Sequence, residues 1–281
     1  MFFFLIASVF AESIVETVNN HPGATWVAVE YPPEVITTAK LRARLGAIDL
    51  NEGPSNYVPD TSLPDNFDAR EQWPGKILPV RNQEQCGSCW AFAVAETTGN
   101  RLNILGCGRG DMSPQDLVSC DKVDHGCNGG SPLFSWEWVK HSGITTEECI
   151  PYVSGGGRVP SCPKKCTNGS AIVRTKAKSV GLVKGDKMQN ELYSRGPFEA
   201  AFSVYEDFKS YKSGVYHHIT GKMLGGHAVM VVGWGVEDGT PYWLIQNSWG
   251  TTWGEQGFFK ILRGKNECGI ETTCFQGTFA C

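Results

Sequence analysis

The sequence predicts an α+β protein with two lobes, a helical lobe followed by a β-rich lobe. Three stretches in the first part of the chain carry helical patterns, at residues 88–105, 113–118 and 132–141. From Gly196 onward, apolar runs alternate with glycine-rich turns, a pattern typical of buried strands. Because the two patterns occupy separate parts of the chain, we expect helices and strands to form separate lobes.

The longest predicted helix runs from Ser88 to about Leu105. Trp90 and the apolar and alanine residues after it favour a buried helix. Ser88 is a candidate N-cap for this helix, and Gly106 marks its end.

Shorter patterns indicate further elements. Pro114 suits the first turn of a second helix, and a third spans residues 132–141. The apolar runs 229–235 and 241–245 have the length and composition of buried strands. The tryptophans of these segments are most simply core residues: Trp136, Trp138, Trp234 and Trp243.

Composition restricts the classes of function. The chain has 281 residues, of which 41% are apolar, enough for a sizeable core. Its formal net charge is −4, and no run of basic residues is longer than Lys164-Lys165. Nucleic acid is therefore not expected as a partner. No stretch after the first eleven residues is long and apolar enough to span a membrane.

The chain begins with segments that we expect to be removed. Residues 1–11 are apolar, too short to span a bilayer and end on a small residue, as in a signal peptide. Residues 12–62 contain no cysteine, whereas the remainder contains all eleven. A short helix is predicted at residues 34–45, and residues 51–60 form a polar linker suited to cleavage. The mature chain is expected to start near Leu63 or Pro64.

Cysteine usage indicates an oxidising compartment. Eleven cysteines are many for a cytosolic protein, and the odd total fits a disulfide framework with one thiol left over. Together with the signal peptide, this predicts passage through the secretory pathway, to secretion or to lysosome-like or endocytic vesicles.

The thiol best placed for chemistry is Cys89, at the start of the longest helix. Helix dipoles favour a thiolate at that position. His227, just before a predicted strand, is the best candidate for its acid–base partner. Asn247 offers an amide oxygen to the imidazole, and Trp249 can shield that hydrogen bond from water. Gln83 is near enough in sequence to help stabilise an oxyanion.

Two other readings of the cysteines compete with this one. Cys86 and Cys89 form a CxxC pair, which also occurs in redox proteins. The same pair, with Cys162 and Cys166, could supply half-sites for zinc. Neither alternative accounts for the segments around His227 and Asn247.

The segment Cys86-Gly87-Ser88-Cys89-Trp90-Ala91-Phe92 resembles the active-site segment of papain-like cysteine peptidases. From about residue 63 to 281, the chain is most similar to cathepsin B within that family, for example at residues 211–216 and 257–264. The resemblance implies a papain-like fold with the active-site cleft between the lobes. It also implies a peptidase domain at 63–281, made as an inactive precursor with residues 12–62 as inhibitory propeptide.

The resemblance implies roles for individual residues. Gln83, Cys89, His227 and Asn247 match the catalytic positions, and no cofactor or metal is implied. Gly129 and Gly130 belong to the strip that binds extended peptides. The pocket for the second residue before the scissile bond would be formed by Pro132, Ala201, Ala228 and Thr273. It would prefer an apolar substrate side chain, because Thr273 stands where cathepsin B has a glutamate. The substrate-binding positions are Gly129, Gly130, Pro132, Ala201, Ala228, Trp249 and Thr273.

A second difference from cathepsin B, after Thr273, concerns the loop between Cys149 and Cys166. In cathepsin B an extra loop with paired histidines grips the substrate's C-terminal carboxylate, which gives dipeptidyl carboxypeptidase activity. Here the loop is short and contains no histidine. We therefore expect an endopeptidase with little or no release of C-terminal dipeptides.

The resemblance to the papain-like family also implies how the cysteines pair. The three implied disulfides are Cys86–Cys127, Cys120–Cys162 and Cys149–Cys166. Cys89 then stays free, while Cys107, Cys268, Cys274 and Cys281 have no assignment.

The implied partners are protein and peptide substrates, the chain's own propeptide and cystatin-like inhibitors, and the enzyme is expected to be a monomer. The alternative hypothesis is that the protein is not an active enzyme but a catalytically silent binding module stapled by disulfides. The four retained catalytic positions disfavour it.

His217 and His218 are expected to be structural, whereas the sequence leaves the role of His125 open. Asn168 is a glycosylation acceptor in a predicted surface loop.

Overall fold

The computed structural model describes residues 12–281, so the predicted signal peptide at 1–11 lies outside the described residues. The helices are α1 (Ile14–Asn20), α2 (Thr38–Arg44), α3 (Ala69–Gln72), α4 (Cys89–Leu105), α5 (Pro114–Cys120), α6 (Pro132–His141) and α7 (Met188–Arg195). The strands are β1 (Trp26–Ala28), β2 (Phe67–Asp68), β3 (Ser179–Leu182), β4 (Phe198–Tyr205), β5 (Tyr211–Tyr216), β6 (Met223–Glu237), β7 (Thr240–Gln246), β8 (Phe258–Leu262) and β9 (Thr273–Thr278).

The predicted two-lobed α+β architecture is confirmed. Residues of α4, α5 and α6 form one apolar core, with Trp90 and Trp136 at its centre. A larger core, rich in aromatic side chains, lies among the strands and contains Trp234 and Trp243. Trp138 differs from the expectation, because it is only half-buried at the edge of the helical core.

The strands form a nine-stranded sheet in the order β1-β5-β8-β7-β6-β4-β9-β3, with β2 paired to β6. Every strand pair is antiparallel except β5 with β8. The 15-residue strand β6 is paired with β2, β4 and β7. His227 lies on β6, so the hydrogen bonds between β6 and its neighbouring strands fix its backbone position.

Helix α4 begins and ends as predicted, but Ser88 does not cap it with its side chain. The Ser88 hydroxyl instead lies 2.9 Å from the hydroxyl of Tyr152. The left-handed conformation of Gly106, with φ 89°, ends the helix. The helix residues from Cys89 to Leu102 are all buried.

The predicted helix at 34–45 is shorter than expected. It begins at Thr38, because residues 32–36 form a turn in which the Val35 and Ile36 N–H groups donate to the Pro32 carbonyl. Thr37 caps the helix by accepting a hydrogen bond from the Lys40 N–H. The sequence pattern alone did not reveal this turn.

The N-terminal segment, residues 12–62, is joined to the sheet through β1, which pairs with β5. Trp26 is 3% exposed and lies 5.1 Å from Tyr216, ring centre to ring centre. Its indole N–H donates to the His217 carbonyl at 2.9 Å. The neighbouring Val27 points outward and is 49% exposed.

The structure contains Cys86–Cys127, Cys120–Cys162 and Cys149–Cys166, together with a fourth disulfide, Cys107–Cys281. Three thiols are free among the described residues, Cys89, Cys268 and Cys274, so the expectation of a single leftover thiol was wrong. Cys274 is buried in the sheet core, and Cys268 is partly buried against that core.

Replacement of Trp26 by alanine is expected to loosen residues 12–62 from the sheet. Truncation of a buried aromatic side chain typically costs about 3–5 kcal/mol. Limited proteolysis of the full chain should therefore remove the segment much faster in Trp26→Ala than in the wild type. Val27→Ala, on the exposed side of the same strand, is the matched control and should behave like wild type. Equal rates for Trp26→Ala and Val27→Ala would contradict this account of docking.

Candidate active site

Cys89 is the first residue of α4 and is fully buried between the lobes. Burial raises the pKa of its thiol to about 11, although backbone hydrogen bonds from Ala228, Gly46 and Trp90 act in the opposite direction. Of these residues, Gly46 belongs to the N-terminal segment. With that segment in place, the thiol is protonated at neutral pH.

His227 and Asn247 form a direct hydrogen bond, with 2.7 Å between the histidine Nε2 and the asparagine Oδ1. The Ser248 N–H also donates to this Oδ1, at 2.8 Å, which identifies it as the amide oxygen. The Nε2 atom is therefore the donor, and in the neutral ring Nδ1 carries the lone pair. This Nδ1 is buried and has no hydrogen-bond partner among residues 12–281.

The surroundings of His227 keep its ring neutral. Burial is the largest effect and lowers the pKa to about 4, the nearby Arg44 charge adds to it, and the hydrogen bond to Asn247 opposes both. Trp249 covers the ring, with 4.8 Å between ring centres. The indole thus shields the His227–Asn247 hydrogen bond, as its position in the sequence suggested.

The Gln83 side chain is buried, and both ends of its amide are hydrogen-bonded. Its Oε1 accepts from the Ser248 hydroxyl at 2.8 Å, which fixes the orientation of the amide. Its Nε2 donates to the carbonyls of Arg44 and Cys86, each at 2.9 Å. Gln83 therefore presents an N–H donor to a backbone carbonyl lying in the cleft. Sequence reasoning missed Ser248, although it directly follows Asn247.

The short loop between Cys149 and Cys166 supports this arrangement. Tyr152 donates a hydrogen bond to the Gln83 carbonyl at 2.8 Å, and its hydroxyl also meets that of Ser88. The Gln85 N–H donates to the Gly155 carbonyl at 2.7 Å. Tyr152 was not singled out from the sequence, where an aromatic residue in a loop gave no sign of this contact.

The proposed substrate strip and pocket lie next to Cys89. Gly129 has a φ of 117°, and the following Gly130 is packed too closely on the Trp90 ring to hold a side chain. Ala201 pairs with Ala228 on one side and with Thr273 on the other. Pro132 is buried at the first position of α6. Three of the four pocket residues are therefore adjacent across neighbouring strands.

Residues 44–51 of the N-terminal segment occupy this cleft. The Gly130 N–H donates to the Gly46 carbonyl at 2.8 Å, and Ile48 N–H returns a bond to Gly130 at 3.1 Å. The Gly46 and Ala47 N–H groups donate to the Gly226 carbonyl on the other side. Ala47 packs on Cys89 and on the alanines of the pocket. The segment thus bridges both lobes across the thiol.

Other histidines have structural partners. The His217 ring lies 3.0 Å from the Gly23 carbonyl, and the His218 ring lies 3.2 Å from the Asp207 carboxylate. His125 is exposed beside the glycine strip. No group of three or more metal-ligating side chains occurs among residues 12–281. No helix in the same range could cross a membrane.

The disulfides remove the competing interpretations of the cysteines. Cys86 is bonded to Cys127 and cannot form a redox pair with Cys89. Cys162 and Cys166 are bonded to Cys120 and Cys149, which leaves no thiolates for a zinc half-site.

A buried thiol at a helix start, a histidine bonded to an asparagine and a glutamine donor form the arrangement predicted from the sequence for a cysteine peptidase site. The sequence profile of the papain family cysteine proteases matches residues 63–278, and the chain belongs to that family. It is therefore an enzyme of the cysteine peptidase class and not a silent binding module.

Similar proteins narrow the relationship to the cathepsin B group. The chain is 39% identical to cathepsin B-like cysteine proteinase 4 of Caenorhabditis elegans, over 92% of this chain and 90% of that protein. It is 44% identical to cathepsin B-like CP3 of Giardia intestinalis, over 80% and 78% of the two chains. The structure of procathepsin B S9 from Trypanosoma congolense matches with a TM-score of 0.87 and 36% identity, covering 98% of this chain and all of that chain.

The reactivity of Cys89 should depend on whether residues 12–62 are attached. With the segment in place, alkylation by iodoacetamide is expected to be slow at pH 6–8 and to rise up to about pH 11, the pKa of the buried thiol. After the segment is removed, alkylation at pH 6 should be fast, because solvent and His227 can then stabilise the thiolate. Mass spectrometry of the peptide containing Cys89 separates it from the other two free thiols. Equal pH profiles before and after removal would contradict this assignment.

Proposed function

We propose that the chain is the zymogen of a cathepsin B-like cysteine endopeptidase. Residues 12–62 act as the inhibitory propeptide, and residues 63–281 form the peptidase. Two observations support this division. Residues 44–51 fill the cleft over Cys89, and the family profile begins to match at residue 63. The precursor is then inactive at neutral pH.

One observation carries the proposed mechanism: Gln83 Nε2 already donates to a backbone carbonyl in the cleft, that of Arg44. In the mature enzyme, the carbonyl of the scissile bond takes this place. The Cys89 thiolate attacks the carbonyl carbon, and negative charge develops on the oxygen. The Gln83 Nε2 and the Cys89 backbone N–H stabilise that charge.

His227 completes the acyl transfer. Its protonated ring gives a proton to the leaving amine, the C–N bond breaks, and an acyl-thioester remains on Cys89. Neutral His227 then takes a proton from water, which hydrolyses the thioester and regenerates the thiol. Asn247 holds the ring in one orientation throughout, because its Oδ1 accepts from Nε2.

Substrate selection before the scissile bond follows from the pocket beside Cys89. Ala201 and Ala228 are small and apolar, and Thr273 contributes no charge. The propeptide places Ala47 on this surface and Leu50 at its edge. An apolar side chain is therefore preferred at the second position before the cleaved bond.

The proposed cellular setting is the secretory pathway, with delivery to lysosome-like vesicles or the exterior. Four disulfides support an oxidising compartment. Cystatin-like inhibitors are proposed as partners of the open cleft.

Covalent labelling tests the proposed nucleophile. A peptidyl epoxide should label one thiol, Cys89, after removal of residues 12–62, and peptide hydrolysis should stop in step with labelling. Cys89→Ser should abolish both. Cys268→Ser is the matched control and should retain both. Hydrolysis that persists in Cys89→Ser would disprove the mechanism.

Cleavage position tests the endopeptidase assignment. Because residues 150–165 contain no histidine, we expect cleavage within a peptide and little release of its C-terminal dipeptide. Paired peptides with a free or an amidated C-terminus should be cleaved at similar rates and sites. Rapid dipeptide release that amidation abolishes would show that this short loop still grips a carboxylate.

A further inference from the structure

The two donors of the proposed oxyanion site lie at opposite ends of one short segment of chain. Gln83 supplies its side-chain Nε2, and Cys89 supplies its backbone N–H. The middle of the segment is held by the Cys86–Cys127 disulfide. Because a hydrogen bond weakens steeply with poor distance or angle, both ends of the segment must be held in position for the two donors to act together.

The Tyr152 hydroxyl contacts both ends of this segment. It donates a hydrogen bond to the Gln83 carbonyl at 2.8 Å. A phenol carries one proton, so the same oxygen accepts at its other contact, the Ser88 hydroxyl, at 2.9 Å. Ser88 directly precedes Cys89, and its side chain makes no cap to α4. One hydroxyl thus joins the residue of the first donor to the residue just before the second.

The Tyr152 ring is itself fixed by its neighbours. It is half-buried and meets the Phe92 ring of α4 edge-on, with 4.7 Å between ring centres. Its backbone N–H donates to the Glu147 carboxylate at 2.7 Å, and Glu147 is paired with Arg81 at 2.7 Å. Burial raises the pKa of the phenol to about 12, although the hydrogen bond with Ser88 opposes this. The hydroxyl therefore keeps its proton from acid to neutral pH.

The loop residues after Tyr152 are anchored to α5 by the buried side chain of Gln115. Its Oε1 accepts from the N–H groups of Val153 and Ser154 at 2.8 and 3.1 Å, and its Nε2 donates to the Ser154 hydroxyl at 2.9 Å. All of these partners belong to the part of the chain that the family profile matches. The support for Tyr152 therefore remains when the N-terminal segment is removed.

We propose that Tyr152 is a positioning residue of the oxyanion site, whose hydroxyl holds the Gln83 and Cys89 donors in place for the developing charge. This inference rests on the proposed function and deepens it, because it concerns the same two donors. Loss of the hydroxyl lets the two ends of the segment move independently, so the transition state is stabilised less. Binding of the uncleaved substrate depends on the strip at Gly130 and is unaffected. The effect therefore falls on kcat and not on KM.

Tyr152→Phe tests this role, because it keeps the ring and its contact with Phe92 and removes only the hydroxyl. The full chain is matured by removal of residues 12–62, and active sites are counted by epoxide labelling. We expect kcat for an internally quenched peptide to fall roughly two- to ten-fold, the equivalent of one hydrogen bond, with KM unchanged. Alkylation of Cys89 by iodoacetamide should keep the wild-type rate, since that reaction forms no oxyanion.

Ser88→Ala tests the link to the Cys89 end of the segment. Alone it should lower kcat by a smaller factor than Tyr152→Phe. Because both substitutions act through the same hydroxyl, the double variant should lose no more activity than Tyr152→Phe alone. Tyr193→Phe is the matched control, because it removes a hydroxyl from an exposed tyrosine of α7 and should keep the wild-type kcat and KM.

An unchanged kcat in Tyr152→Phe overturns the inference and leaves the proposed function intact. Equal losses of kcat and of the alkylation rate also overturn it, because they would place the effect on the thiol. Should Tyr152→Phe fail to fold, Ser88→Ala is judged by the same two measurements. A wild-type chain that is neither labelled nor active after maturation overturns the proposed function, and the inference with it.

Discussion

The backbone of residues 46–48 is hydrogen-bonded to both walls of the cleft. The access of water to Cys89 and the protonation of Cys89 and His227 depend on this pairing. Gly226 of β6 accepts from Gly46 and Ala47, while Gly130 beside the helical lobe exchanges bonds with Gly46 and Ile48. A backbone hydrogen bond contributes about 0.5–1.5 kcal/mol net. Four of them, placed on opposite lobes, hold the segment directly over the thiol and exclude water from it.

The exclusion of water explains the protonation of Cys89 and His227, the proposed catalytic pair. A thiolate and an imidazolium are both disfavoured by burial, so the pKa of Cys89 rises and that of His227 falls. The Arg44 charge lowers the pKa of His227 further. The N-terminal segment therefore blocks the cleft and also keeps the two groups in their neutral, unreactive forms. In this state His227 is already hydrogen-bonded to Asn247, and Gln83 already donates to a carbonyl in the cleft, which is the arrangement that the proposed mechanism uses.

Much of this arrangement could be predicted from local sequence. The ends of α4 follow from Gly106 and the apolar pattern after Cys89, and the two strands around His227 follow from continuous apolar runs. Contacts between segments that are distant in the chain could not be predicted from such local patterns. The Tyr152 hydroxyl reaches Gln83 from a loop 69 residues away, and Arg44 enters the cleft from a helix whose start was misplaced by four residues. Such contacts depend on tertiary packing, which short patterns do not encode.

The most direct test of this account is the protonation of the His227 ring, measured by NMR with labelled histidine in the full chain and in the mature enzyme. The account predicts that the His227 ring stays neutral down to about pH 4 while residues 12–62 are attached, and that its pKa rises after they are removed. Cys89→Ser would keep the precursor from processing itself during the titration. A His227 ring that is protonated at pH 6 in the intact precursor would contradict the claim that the N-terminal segment holds the catalytic pair neutral.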